Sequence, residues 1–143
     1  MKYKFFGWDS PAVSPKTEEF IAVKDQRHLY DLLSDIWCEY TCAPKLRSEW
    51  SEENKTLGQC SITSFLVQDI FGGEVYGVPL ENGGVHCYNI VGKAKFDLTS
   101  EQFQGKPIAY NDDLPQTREK HFADKNKYER YLYLKNELKK KLS

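Results

Sequence analysis

The chain has 143 residues, 40% of them hydrophobic and 14% aromatic, and a formal net charge of −1. That length fits one domain over residues 1–143, and the aromatic content argues against disorder. A charge so near zero provides no global field to recruit nucleic acid or an anionic membrane, and no apolar run approaches the roughly 18 residues of a membrane span.

Residues 1–9 carry charge but none of the apolar run of a secretory leader, so a cytoplasmic, reducing location is expected. There Cys38, Cys42, Cys60 and Cys87 are expected as free thiols, metal ligands or catalytic groups rather than a disulfide frame. Phe20-Ile21-Ala22-Val23 has the look of a short strand. From Asp25, a suitable N-cap, Leu29, Leu32, Leu33, Ile36 and Trp37 recur at three- and four-residue steps, which predicts a helix to about Thr41, stopped before Pro44. Residues 44–58 are polar and irregular and read as a loop. Trp50 stands alone in it, either pinning the loop to the core or walling a substrate groove.

Residues 60–71 predict a helix apolar over most of its circumference, hence central and buried, and Gly72-Gly73 ends it. A strand follows over 74–80, with Pro79 pushing it toward a sheet edge, then a turn at Asn82-Gly83-Gly84. Two more strands, 85–91 and 94–99, are joined by Gly92-Lys93, a pair suited to a type II′ hairpin. After Pro107 and Pro115 the tail turns helical over about 115–141. Tyr128, Tyr131, Leu132, Leu134 and Leu138 mark a side that docks on the body, and Lys139-Lys140-Lys141 reads as a solvated helix end suited to the dipole. The expected fold class is α+β: a central helix on a small antiparallel sheet, flanked by N- and C-terminal helices, with a catalytic-like core over about 50–103.

The hairpin register carries the chemistry. With Gly92-Lys93 as the loop, His86, Tyr88, Ile90, Lys95, Asp97 and Thr99 share one face, and Cys87, Asn89, Val91, Ala94, Phe96 and Leu98 the other. His86 and Asp97 are then diagonal neighbours, about 7–8 Å apart along the backbone and within side-chain reach. A carboxylate there orients an imidazole and stabilises its charged form. Cys60 opens a helix, where unpaired N–H groups and the dipole favour a thiolate and a developing oxyanion. Gln59 is a candidate additional oxyanion donor; Trp50, Tyr88 and Asn89 are candidates for the groove. The expected catalytic set is Cys60, His86 and Asp97, with no cofactor. Cys87, on the apolar face, reads as structural, and His28 and His121 as surface or partner-satisfied.

Three rivals stay open. Cys38 and Cys42, at i and i+4, could join Cys60 and His86 around a zinc ion, although no CxxC is present. The same shape could serve as a non-catalytic binding module. The Tyr-rich terminal helix could instead be an assembly surface.

Trp50, Asn54, Gly58-Gln59-Cys60, Gly72-Gly73, His86-Cys87-Tyr88-Asn89, Asp97-Leu98-Thr99 and Gln102-Phe103 together resemble the bacterial YunG-like family, whose activity is not established. More coarsely, the order Cys on a helix, His on a strand and Asp on the next strand is similar to the papain-like and transglutaminase-like cysteine enzymes. Asp97-Leu98-Thr99 looks like the Asp-Pro-Thr closing many transglutaminase-like cores. That resemblance implies a papain-like core in which Cys60 is the nucleophile, His86 the general base and then acid, and Asp97 the orienting group. The implied reaction is amide hydrolysis or acyl transfer on an unidentified amide, peptide or acyl substrate. Two features depart from the pattern: the Cys-to-His spacing is short, and Cys87 stands where an aromatic residue often follows the His.

Overall fold

A computed structural model describes residues 3–81 and 83–143. The organising element is a helix over Cys60–Phe71, here α2, which buries Ile62, Phe65, Leu66, Val67, Ile70 and Phe71. A helix apolar on nearly every side needs cover on nearly every side. It is sandwiched between an antiparallel sheet and the last helix. Gly72 ends it at φ +81°, with its N–H on the Gln68 carbonyl.

The sheet holds β1 (Glu74–Pro79), β2 (Val85–Val91) and β3 (Ala94–Phe96) in the order β1-β2-β3. Val91 pairs with Ala94 and Asn89 with Phe96, the register that a Gly92-Lys93 loop dictates. β1 is an edge strand, in keeping with its terminal Pro79. Its free side is covered by residues 114–116, through Gly77 N–H to Leu114 O and Gln116 N–H to Val75 O. β3 is shorter than the expected 94–99. Asp97 leaves the ladder to bridge Phe6 of the N-terminal segment, and its carboxylate accepts the Thr99 N–H at 3.1 Å, turning the chain. Asn82, part of the expected β1–β2 turn, lies outside the described residues.

Two expectations near the N-terminus are corrected. The 20–23 run is no strand: it follows a short 3-10 turn, Glu18–Phe20, that sinks Phe20 and Val23 into the core and leaves Ile21 exposed. The first helix, α1 (Gln26–Ser34), has the expected cap, Asp25 accepting His28 N–H, but stops short of Thr41. The Asp35 and Ile36 N–H groups tighten onto Leu32 and Leu33 carbonyls, and Trp37 turns inward to donate to Thr63 Oγ1 at 3.0 Å. The Cys38 N–H is then taken by the Thr41 hydroxyl, a local bond that competes with helix. Cys38 and Cys42 therefore do not share a helix face. The loop after Pro44 contains two 3-10 turns, Pro44–Glu49 and Glu52–Asn54.

The expected closing helix is two helices, α3 (Arg118–Phe122) and α4 (Lys125–Leu142). Asp124 separates them and caps the second by accepting Lys127 N–H. Tyr131, Leu134 and Leu138 are buried, whereas Tyr128 and Leu132 are exposed. Asp69 of α2 ties the tail down, bonding Arg118, Lys135 and the Tyr131 hydroxyl. Among the described residues one hydrophobic cluster runs from Phe5 to Leu138 and draws on α1, α2, the sheet and α4. None of the described helices is long and apolar enough to cross a membrane.

Candidate active site

The loop ahead of α2 is fixed before its cysteine is placed. Gly58 takes φ +72°, and a Cβ there would lie 2.6 Å from Cys42 Sγ and 2.9 Å from Ala43 N, so glycine alone fits this close approach. The Ala43 N–H bonds Gly58 O at 3.0 Å. The first intrahelical bond of α2 runs from Thr63 N to Gln59 O. The N–H groups of Cys60, Ser61 and Ile62 precede it, at the positive end of the helix dipole.

β2 supplies the base. His86 Nε2 lies 2.5 Å from Asp97 Oδ2, with both side chains 1% exposed. Asp97 is itself held: Oδ1 accepts the Thr99 N–H and hydroxyl, and Oδ2 also accepts the Tyr110 hydroxyl at 2.7 Å. Phe103 stands edge-on to the imidazole at 4.6 Å, and Tyr110 lies between Phe6, stacked at 4.0 Å, and Tyr88, edge-on at 4.8 Å. The face that the hairpin register assigns to the chemistry is thus roofed by aromatic rings rather than open to solvent.

Cys60 reaches His86 by another way. α2 packs on the opposite face of β2, where Asn89 Nδ2 donates to Ser64 O at 2.9 Å. Cys60 Sγ stands 4.0 Å from Val85 O at the beginning of the strand, beside both Cys87 and His86. With Nε2 committed to Asp97, Nδ1 is the ring nitrogen left for the thiol. Cys60 and His86 line one cleft of about 480 Å³, with Gly58, Ser61 and Gln102 among its walls.

The electrostatics follow from that placement. A hydrogen bond from the Cys87 thiol outweighs burial, and with the charge and hydrogen bond of His86 it holds Cys60 well below the usual thiol value. The same contact, with burial, drives Cys87 well above it. Burial opposes charge on His86, but the Asp97 carboxylate and the Cys60 thiolate overcome it and raise the imidazole to about 10. Both shifts favour a thiolate–imidazolium pair over the neutral thiol and imidazole.

Cys60, His86 and Asp97 therefore converge, and the four residues expected around them do not. Gln59 is fully buried and its Nε2 donates to Cys38 O at 3.2 Å, away from the cleft. Trp50 closes its own loop by donating to Lys55 O. Tyr88 bonds Asp112 and supports Tyr110 from behind. Asn89 ties the strand to α2. None of the four is among the cleft-lining residues. His28 bonds the Lys24 N–H, and His121 bonds Gln116 and Lys127. Among the described residues no three His, Cys, Asp or Glu side chains are grouped to hold a metal ion. Cys42, in the rival zinc set, is buried and pushed up to about 11 by that burial.

Several site residues escape the sequence pattern. Cys87 is one; its neighbour position to His86 becomes meaningful only once α2 is known to cover that face. Tyr110 comes from an irregular segment and has no local signature. Gln102, whose Nε2 donates to Thr99 O at 3.0 Å, and Arg130 of α4 reach the cleft only through tertiary packing.

The arrangement defines an α+β protein with a cysteine–histidine–aspartate cluster at the start of a central helix. By sequence the chain belongs to the YunG protein family, whose profile matches residues 25–143. It is 35% identical over 108 residues, 76% of this chain and 86% of the relative, to "Uncharacterized protein YunG" of Bacillus subtilis (strain 168). No solved structure matches the chain. The family assignment expected from the Gly-Gln-Cys and Asp-Leu-Thr motifs is thereby shown, whereas the transglutaminase-like likeness receives no support from these comparisons.

Proposed function

We propose that the protein is a cysteine-dependent amide hydrolase or acyltransferase with a papain-like arrangement of its catalytic groups. The observation that carries this reading is the shared cleft of Cys60 and His86, with Asp97 2.5 Å from the far ring nitrogen. The Cys60 thiolate attacks the carbonyl carbon of an amide or acyl group. The carbonyl oxygen becomes an oxyanion beside the N–H groups of Cys60 and Ser61 at the helix start. His86 Nδ1 gives its proton to the leaving amine as the C–N bond breaks, and a Cys60 thioester remains. In the second half a water or an acceptor amine loses its proton to His86, adds to the thioester carbonyl and releases the thiolate. Asp97 keeps Nε2 protonated throughout, so that Nδ1 faces the sulfur in either half. The substrate is an amide, peptide or acyl compound, and four free cysteines suit a reducing compartment such as the cytoplasm.

Thiol reactivity tests the reading. At about pH 6, where a free thiol is almost wholly protonated, Cys60 is expected to react with iodoacetamide at least 100-fold faster than a simple thiol. His86→Ala removes most of that advantage. Cys60 alkylating no faster than free cysteine, with His86→Ala leaving the rate unchanged, sinks the catalytic reading and leaves a binding module.

A further inference from the structure

The chain as a whole is nearly neutral, but the cleft beside Cys60 is not. Its rim and floor carry Lys45, Lys127 and Arg130 against one carboxylate, Asp124. Among the described residues, no carboxylate lies within ion-pair distance of any of these three cations. Among the described residues, the hydrogen-bond partner of Lys127 Nζ is His121 Nδ1 at 3.0 Å, whose burial favours the neutral ring.

Arg130 is the telling case. Its side chain is 3% exposed, yet its guanidinium bonds only uncharged groups: Nε to Asn126 Oδ1 at 2.8 Å and Nη1 to Thr41 O at 3.0 Å. Nη2 has no hydrogen-bond partner among the described residues and keeps contact with solvent. A buried guanidinium without a counter-ion is costly and is ordinarily paired. Burial, first, and the like charge of Arg47 weigh against the Arg130 cation, and the charges of Asp124, Cys42 and Cys60 do not fully offset them. The Cys60 thiolate favours the Arg130 cation through space but does not outweigh its burial, and no ion pair joins the two. The fork of Arg130 is held by Thr41 and Asn126 in a planar group suited to two acceptor oxygens.

Building on the reading of Cys60 as nucleophile, we propose that the cleft selects substrates carrying an anionic group, a carboxylate or a phosphate, near the carbonyl under attack. Arg130 anchors that group, and Lys127 and Lys45 attract it from the rim. The anion supplies the counter-charge that the fold withholds from Arg130, and it sets the carbonyl against Cys60.

The test compares an anionic with a neutral alkylating agent on the full-length protein. In the wild type at low salt, the ratio of Cys60 rates with iodoacetate and iodoacetamide exceeds that of free cysteine. It falls on the order of tenfold in Arg130→Gln and a few-fold in Lys127→Gln, because each removes an attraction felt by the anionic reagent alone. A ratio unchanged in both variants, with circular dichroism of the wild type, overturns the proposal. Protection needs no variant and covers the case of an Arg130→Gln chain that does not fold. Succinate or inorganic phosphate slows iodoacetamide labelling of wild-type Cys60, whereas succinamide does not. Protection by succinate alone marks a carboxylate site and by phosphate alone a phosphate site; protection by neither overturns the proposal. The outcome is separable from that of the catalytic reading, which rests on the iodoacetamide rate and its dependence on His86.

Discussion

Cys42 and Cys60 sit on segments joined by the Ala43–Gly58 hydrogen bond, yet their thiols are driven in opposite directions. Burial raises Cys42 to about 11 despite the charges of Arg130 and Arg47 nearby. Its sulfur rests 3.5 Å from Ala43 O, a partner that suits a neutral thiol. Cys60 also pays for burial, but it has a thiol donor in Cys87 and an imidazolium in His86, and it falls well below the usual value. At Cys42 the neighbouring cations do not overcome burial; at Cys60 a thiol donor together with the His86 charge does.

The contrast is broken most directly by labelling. In native protein at about pH 6, iodoacetamide should modify Cys60 on the order of 100-fold faster than Cys42. Peptide mapping by mass spectrometry reads the ratio, and equal labelling would abolish the distinction between the two sulfurs. A smaller effect is expected at the hinge between the regions. Gly58→Ala forces a left-handed φ on alanine and pushes a methyl into Cys42 Sγ and Ala43 N. A loss of roughly 1–3 kcal/mol in urea unfolding, with slower Cys60 labelling, is expected. An unperturbed midpoint would mean that the two segments are not locked together.

The smallest effect is one of shape. His86, ordinarily near 6.5, is raised to about 10, so its contribution to stability is full below pH 6.5 and is lost as pH rises toward 10. Cys60, ordinarily near 9.0, is lowered, so its contribution is full above pH 9.0 and is lost as pH falls through its depressed value. Below 9.0, and above both 6.5 and the depressed Cys60 value, the folded pair and the unfolded chain hold the same number of these protons, one each, on different atoms. The urea-midpoint difference between the wild type and a Cys60→Ala/His86→Ala double variant should therefore be flat across that interval and shrink on either side. A steady slope through pH 7–8 would contradict the ion pair.

Local periodicity and turn chemistry made much of the architecture legible. The apolar circumference of 60–71, the Gly72-Gly73 stop, the 85–91 strand and the Gly92-Lys93 loop all follow from side-chain spacing and the φ angles that glycine permits. The hairpin register also made the His86–Asp97 pair legible, since both residues lie within one local unit. Where long-range contacts compete with propensity, the pattern misled. Trp37 is drawn to Thr63 and cuts α1 short, and Phe6 captures Asp97 and shortens β3, whereas the split of the terminal helix is local, an Asp124 cap.

By itself, then, the sequence determined the central helix, the hairpin and the pairing of a histidine with an aspartate, because these are set within a few residues of chain. Only the tertiary structure decided that α2 covers the Cys87 face, so that Cys60 meets His86 around the beginning of β2 and takes a second donor from Cys87. It also decided that Arg130, from the last helix, enters the same cleft without a carboxylate. Those placements depend on how distant apolar faces pack against each other, and no local spacing records which face of a strand a helix will choose.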